Sequence, residues 1–190
     1  MHKVFNPKSH SKLDSEARYK LIPPESVLNK MNIEAGDTLL DIGTGTGYFA
    51  IPALEKVSTK GKVIGTDLSA SMLDTFKHKL SEFPKNLELV LTTADDTALP
   101  NQVADKILLA FLFHEVDDRP AFVQELKRLL KSEGELTIVD WAVNNSKMGP
   151  PQQHRIGQEE LISIITQNGF SLLENISLND QHYFVRFGKE

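Results

Sequence analysis

The chain contains no cysteine. That excludes disulfides, thiolate metal sites and cysteine nucleophiles, and it leaves the redox compartment open. Long apolar runs are also missing, and nothing approaches the roughly 20 apolar residues of a membrane span. The polar N-terminus, MHKVFNPKSHSKLDSEARYK, has no apolar core of signal-peptide length. Cytoplasm is therefore the expected location. Positive charge is scarce too. With a net charge of -5 and no basic cluster longer than Lys127–Arg128 and Lys131, the chain lacks the face of a general nucleic-acid binder. It shows no internal repeat and no low-complexity linker. What remains is 40% hydrophobic and 25% charged over 190 residues, which suits one globular domain with a single sizeable core.

Strand-like and helix-like segments alternate. A short helix is predicted over 23–31, entered by its prolines, with Val27, Leu28 and Met31 at helical spacing. Strands are predicted over 38–42, 61–67, 87–91, 106–111 and 134–141. Between them fall a helix over 48–57 with Pro52 in its first turn, a second after Ser69, and a third after Asp118 and Pro120. The fourth strand is apolar on both faces and the fifth nearly so, as parallel strands covered by helices on each side require. A last helix, 158–169, closes at Gly169, and two extended segments around Leu178–Asp180 form an antiparallel pair. The expected fold is an α/β, Rossmann-like doubly wound sheet. It has seven strands, mostly parallel, a C-terminal antiparallel hairpin and helices on both faces.

In such a sheet a ligand sits beyond the carboxyl ends of the strands. There the sequence reads LLDIGTGTGYFAIP, residues 39–52, with three glycines in five residues behind an aspartate. Gly43 and Gly45 permit close approach of a ligand to bare backbone, and Gly47 permits helix packing against the strand. The dinucleotide fingerprint needs G-x-G-x-x-G, whereas Tyr48 stands where its last glycine belongs. A P-loop needs G-K-[ST], which is also absent. The second strand ends in Asp67, whose carboxylate can accept both hydroxyls of a ribose. Asp95 and Asp96 follow the third strand, where a carboxylate suits an adenine exocyclic amine.

These motifs resemble the class I S-adenosylmethionine-dependent methyltransferases. LLDIGTGTG is similar to that family's first motif, VIGTDLS to its second, ADDTALP to its third and ADKILLAFLFHEV to its fourth. The stretch ELKRLLKSEGELTIVDW resembles the surroundings of its fifth strand, so the likeness covers roughly residues 25–142 in order. Within the family the chain looks closest to small members of the ubiquinone-biosynthesis-like branch.

The resemblance implies S-adenosyl-L-methionine as cofactor. It places Gly43, Thr44, Gly45 and Gly47 along the methionine moiety and ribose, with Asp41 near the amino group. Asp67 takes the ribose hydroxyls, Leu68 and Met72 pack on the adenine, and Asp95, aided by Asp96, meets its amine. The backbone near Ala110 closes the methionine end. ADD stands where glycine-aspartate-alanine is common, which leaves the adenine contact open between Asp95 and Asp96. It also implies one methyltransferase domain over 1–190. Residues 1–32 would be an N-terminal lid and helix, 33–142 the cofactor-binding core, and 143–190 a loop, helix and hairpin.

Methyl transfer asks the protein mainly for alignment and exclusion of water. Oxygen or nitrogen acceptors can also need a general base. His114 and Glu115 after the fourth strand are the catalytic candidates, with Asp140 and Trp141 near them after the fifth. His114 ranks first because imidazole titrates near neutral pH; the alternative is a histidine that only bonds a loop carbonyl. Arg18, Tyr19 and His154 are candidates for acceptor contacts on the expected lids. With no long insertion, the acceptor is expected to be a small molecule, without nucleic acid, membrane span or metal. The lack of cysteine argues against the arsenic-methylating branch. Two other functions stay open: a non-catalytic module that binds the cofactor or its demethylated product, and an NAD-dependent oxidoreductase. The glycine spacing and the terminal hairpin disfavour the oxidoreductase.

Overall fold

A computed structural model describes residues 14–93, 97–144 and 148–190. The chain divides into two compact units, one within Lys3–Leu99 and one within Pro100–Glu190. In the first unit, helices α1 (Glu16–Leu21) and α2 (Pro24–Leu28) precede β1 (Thr38–Ile42), α3 (Ala50–Val57), β2 (Lys62–Asp67), α4 (Ala70–His78) and β3 (Leu87–Leu91). The strands lie in the order β3-β2-β1 and all run parallel, with Leu39 opposite Val63 and Asp67 opposite Leu91. Leu39, Leu40, Val63 and Ile64 are all buried. The side chains of each adjacent pair point to opposite faces, so both faces of this sheet are covered. Each such burial stabilises by about 1.5–3 kcal/mol.

The second unit contains β4 (Ala104–Ala110), α5 (Arg119–Leu129), β5 (Leu130–Trp141), α6 (Gln158–Gln167), β6 (Phe170–Asn179) and β7 (His182–Lys189). Its strand order is β4-β5-β7-β6; β4 and β5 are parallel, and β7 is antiparallel to both β5 and β6. Asp118 caps α5 by accepting from Ala121 N at 3.0 Å, and the helix buries Val123, Leu126 and Leu129 on one face. Seven strands, mostly parallel and ending in an antiparallel hairpin, with intervening helices, make this the expected Rossmann-like α/β class.

Several boundaries differ from expectation. Helix α1 was not foreseen, since its sequence buries no residue and so carries no apolar stripe. Ser69 occupies the N-cap position of α4 without a side-chain cap, and its hydroxyl pairs with Ser71 Oγ instead. The hairpin turn is Asp180–Gln181, because Leu178 and Asn179 continue β6. Among the described residues no helix is long and apolar enough to cross a membrane.

Candidate functional site

The loop after β1 is folded back on β2: Gly43 N and Thr44 N both donate to Thr66 O at 2.8 Å. Gly45 N donates to Asp67 Oδ2 at 2.9 Å, a link across 22 residues. Gly45 has φ +55, and a Cβ there would meet nothing nearer than Gly43 O at 4.0 Å. The half-buried Gly45 therefore leaves the side where a side chain would stand free of close neighbours, as a ligand-bearing loop needs. Gly47 serves packing instead. A Cβ there would lie 2.6 Å from the Phe76 ring, so its nearest crowding partner is α4. Gly65 of β2, which the sequence reading passed over, leaves room for Thr44, whose side chain lies 3.0 Å from where a Cβ would be.

Two carboxylates border this loop. Asp67 accepts from Gly45 N and, through Oδ1, from Ser69 N at 2.9 Å. Burial raises its pKa, while the backbone donors of Ser69, Gly45 and Leu68 oppose the rise. Asp41 is buried at 2% exposure and accepts from Thr44 Oγ1 at 2.7 Å. Desolvation pushes its pKa up to about 7; the Thr44 bond lowers it, the Asp67 charge raises it and the Arg18 charge lowers it.

This has a consequence for stability. The folded state holds the Asp41 proton more tightly than the unfolded chain, so stability falls as pH rises from about 4 toward 7. Asp41→Asn, which cannot ionise, is expected to raise the Tm of the ligand-free protein by roughly 10 °C at pH 8. The gain should vanish near pH 4. A pH series of melting curves checks it, and a lower Tm for the variant at pH 8 would show that ionised Asp41 is stabilising.

Helix α1 is fastened to the same loop. The Arg18 guanidinium lies 4.0 Å from the Tyr48 ring centroid and the Tyr19 ring 4.8 Å from it, while Tyr48 OH donates to Ile22 O at 3.0 Å. Thr46 Oγ1 donates to Asp14 Oδ1 at 3.1 Å. Lys79 Nζ reaches Asp14 at 2.5 Å and Thr46 O at 2.9 Å. Arg18 and Tyr19 thus stand on the glycine loop, together with Asp14, Thr46 and Lys79, which no local motif announces. Beyond β2, Leu68 is 40% exposed whereas Met72 is 3% exposed on the inner face of α4. Of the two residues expected to pack on the adenine, Leu68 is the one that offers surface. Asp95 and Asp96 lie outside the described residues.

In the second unit, β4 ends at the half-buried Ala110 and a 3-10 turn, Phe113–Glu115, follows. His114 Nδ1 stands 2.7 Å from Asp140 Oδ1. His114 N and Trp141 N donate to the two oxygens of Asp140 at 3.1 and 2.8 Å. Asp140 is fully buried, the His114 side chain is 6% exposed, and Glu115 Oε1 lies 3.8 Å from Nε2. Burial by itself would lower the His114 pKa, but the Asp140 bond and charge, with Glu115, outweigh it and raise it. His154 sits half-buried in a short turn, Gln152–His154. The organising cation of that loop is its neighbour Arg155, which is 8% exposed and donates to Ala142 O and Asn144 Oδ1 at 2.9 and 3.0 Å.

Residues 40–138 match a family model described as "Methyltransferase domain". That is more than half of the chain. The protein belongs to this methyltransferase family. It is 32% identical over 117 residues to a demethylmenaquinone methyltransferase of Oceanobacillus iheyensis, covering 61% of this chain and 49% of that one. To the demethylmenaquinone methyltransferase of Listeria monocytogenes it is 28% identical over 150 residues, 76% of this chain and 63% of the other. The methyltransferase chain thus spans about half to three fifths of these curated relatives. Among solved structures, a SAM dependent methyltransferase from Aquifex aeolicus is 30% identical, with a TM-score of 0.92 over 98% of this chain and 100% of its own.

Proposed function

We propose that the chain transfers the methyl group of S-adenosyl-L-methionine to a small-molecule acceptor. One observation carries this reading above the others: the Gly45 N–H to Asp67 bond at 2.9 Å, which sets an open stretch of backbone beside a carboxylate. A carboxylate has about four acceptor sites, so Asp67 retains capacity for ribose hydroxyls while holding the loop. Gly43, Thr44 and Gly45 line the backbone surface, and Asp41 places negative charge beneath it for an ammonium group. Leu68 offers an apolar face for the base. The cofactor supplies an activated methyl on a sulfonium; the chain's residues bind, orient and exclude water.

From the second unit we assign His114 to acid–base work on the acceptor. Asp140 holds Nδ1, and Glu115 lies beside Nε2. The 6% exposure of the His114 side chain favours a second reading, in which the pair ties the end of β4 to β5 without touching the acceptor. The relatives named demethylmenaquinone methyltransferases support the choice of a small-molecule acceptor. A single domain over 1–190, a cytoplasmic location and the absence of a nucleic-acid partner belong to the same proposal.

A melting-temperature panel tests the ligand class. At a hundredfold excess over Kd, a ligand of the native state stabilises by about 2.7 kcal/mol, or roughly 5–10 °C for a chain of this size. S-adenosylmethionine and S-adenosylhomocysteine should both produce that shift, and NAD and ATP should not. A shift with NAD alone would overturn the proposal in favour of an oxidoreductase. Cofactor binding without methylated product from any acceptor would leave a binding module.

A further inference from the structure

Asp41 stands one residue from the end of β1, against the glycine loop, and is 2% exposed. Its Oδ2 accepts from Thr44 Oγ1 at 2.7 Å, a neutral donor. Three elements act on it. The loop brings Thr44, the end of β2 brings the like charge of Asp67, and α1 brings the cation of Arg18. Arg18 is shared: its guanidinium stands 4.0 Å from the Tyr48 ring centroid and also feels the charge of Asp14. A buried carboxylate with a hydroxyl donor, a carboxylate neighbour and a shared cation is costly to ionise. Desolvation outweighs Arg18, and the group holds its proton up to about pH 7.

The loop above it is built to pass a charge effect inward. Thr44, between Gly43 and Gly45, is 5% exposed, with its side chain turned onto Asp41 and toward Gly65. Bare backbone therefore forms the outer surface of that part of the loop. A cation settling on that surface acts on Asp41 through a medium of low dielectric. An opposite charge within about 4–6 Å favours the ionised carboxylate. The amino-acid end of the proposed cofactor carries such a cation, its ammonium group.

We propose that this ammonium group and a proton compete for Asp41, so that cofactor binding expels one proton and cofactor affinity is set by pH across the neutral range. The exchange balances in charge. The neutral carboxylic acid gives its O–H proton to water or a buffer base, and the ligand's ammonium becomes counter-ion to the carboxylate that remains. The sign follows from the ligand-free state, which holds the proton below about pH 7, so binding is weakened there and reaches full strength above it. The apparent Kd is the intrinsic one divided by the ionised fraction. Acidification thus unloads the cofactor while the same group makes the ligand-free fold more stable. This inference rests on the methyltransferase reading and adds a regulation to it.

Titration calorimetry in two buffers of different ionisation enthalpy counts the protons. S-adenosylhomocysteine, which has the ammonium group, should bind about tenfold more weakly at pH 6 than at pH 8. 5′-Methylthioadenosine keeps the adenine and ribose but lacks the amino-acid end. At pH 6 it should release one proton fewer than S-adenosylhomocysteine, and its affinity should lack that tenfold change. Any proton that Asp67 gives up on meeting the ribose appears with both ligands, since burial raises its pKa too. Asp41→Asn, which keeps the fold, should abolish the difference between the ligands. Equal proton release by the two, S-adenosylhomocysteine affinity that ignores pH, or a difference that persists in Asp41→Asn would overturn the proton exchange while the cofactor reading stood. Failure of S-adenosylhomocysteine to bind at either pH would remove both.

Discussion

Replacing His114 by alanine is expected to lower turnover with a native acceptor by about 10²- to 10⁴-fold, the usual share of acid–base catalysis. Cofactor affinity should stay nearly intact, because His114 bonds to Asp140 and not to the glycine loop. The pH profile gives a sharper test. Asp140 and Glu115 raise the His114 pKa against the effect of burial, so the neutral base forms only above the ordinary imidazole range. Turnover should therefore climb with pH through a value above 6.5 and then level off. Asp140→Asn should move that inflection to lower pH, since it removes the charge that favours imidazolium.

Stability runs the other way. A histidine whose folded pKa is raised contributes stability in full below its unfolded value, and that contribution is lost as pH rises through the folded one. The tie between β4 and β5 is thus weakest where the base is most active. If the pair is only structural, folded His114→Ala protein will turn over at the wild-type rate with a lowered Tm. Full turnover in a well-folded variant would remove His114 from the chemistry.

Substituting Asp67 by alanine is the second large effect expected. Hydrogen bonds to a charged group contribute about 1.5–3 kcal/mol, so S-adenosylhomocysteine should bind roughly 10- to 150-fold more weakly in a calorimetric titration. Part of that loss comes from the loop. Asp67 accepts from Gly45 N and Ser69 N in the ligand-free chain, and without it Gly45 loses the partner that fixes its orientation. The fold should survive, because the strands carrying Asp67 are held by buried apolar residues on both sides. Asp67→Asn separates the two contributions. It keeps an acceptor for Gly45 but loses the charge, and its affinity should fall between wild type and alanine. Unchanged affinity in Asp67→Ala would place the ribose elsewhere.

Local chemistry determined a good deal of this protein. The apolar strand Thr38–Ile42 and the glycines behind Asp41 specify a strand, a turn and an open backbone, since each depends on residues adjacent in sequence. Asp118 and Pro120 mark the start of α5 for the same reason. The order of motifs identified the methyltransferase family, because each reads within about ten residues. Tertiary structure decided what rests on distant contact. The raised pKa of Asp41 needs burial by the whole unit and the charge of Asp67 brought near, against the opposing charge of Arg18. Gly47 is reserved for Phe76, 29 residues further on, and no local rule foretells that neighbour. The seating of Asp14, Arg18 and Tyr19 on the loop depends on α1, whose sequence has no apolar stripe to announce it. His114 could be named from its place after β4, but its bond to Asp140 arises only when β5 lies parallel to β4 in register. The left-handed turn at Phe111 was hidden for the same reason: a bulky residue is held in that conformation by contacts with Val139, Trp141 and His182, and not by its own preference.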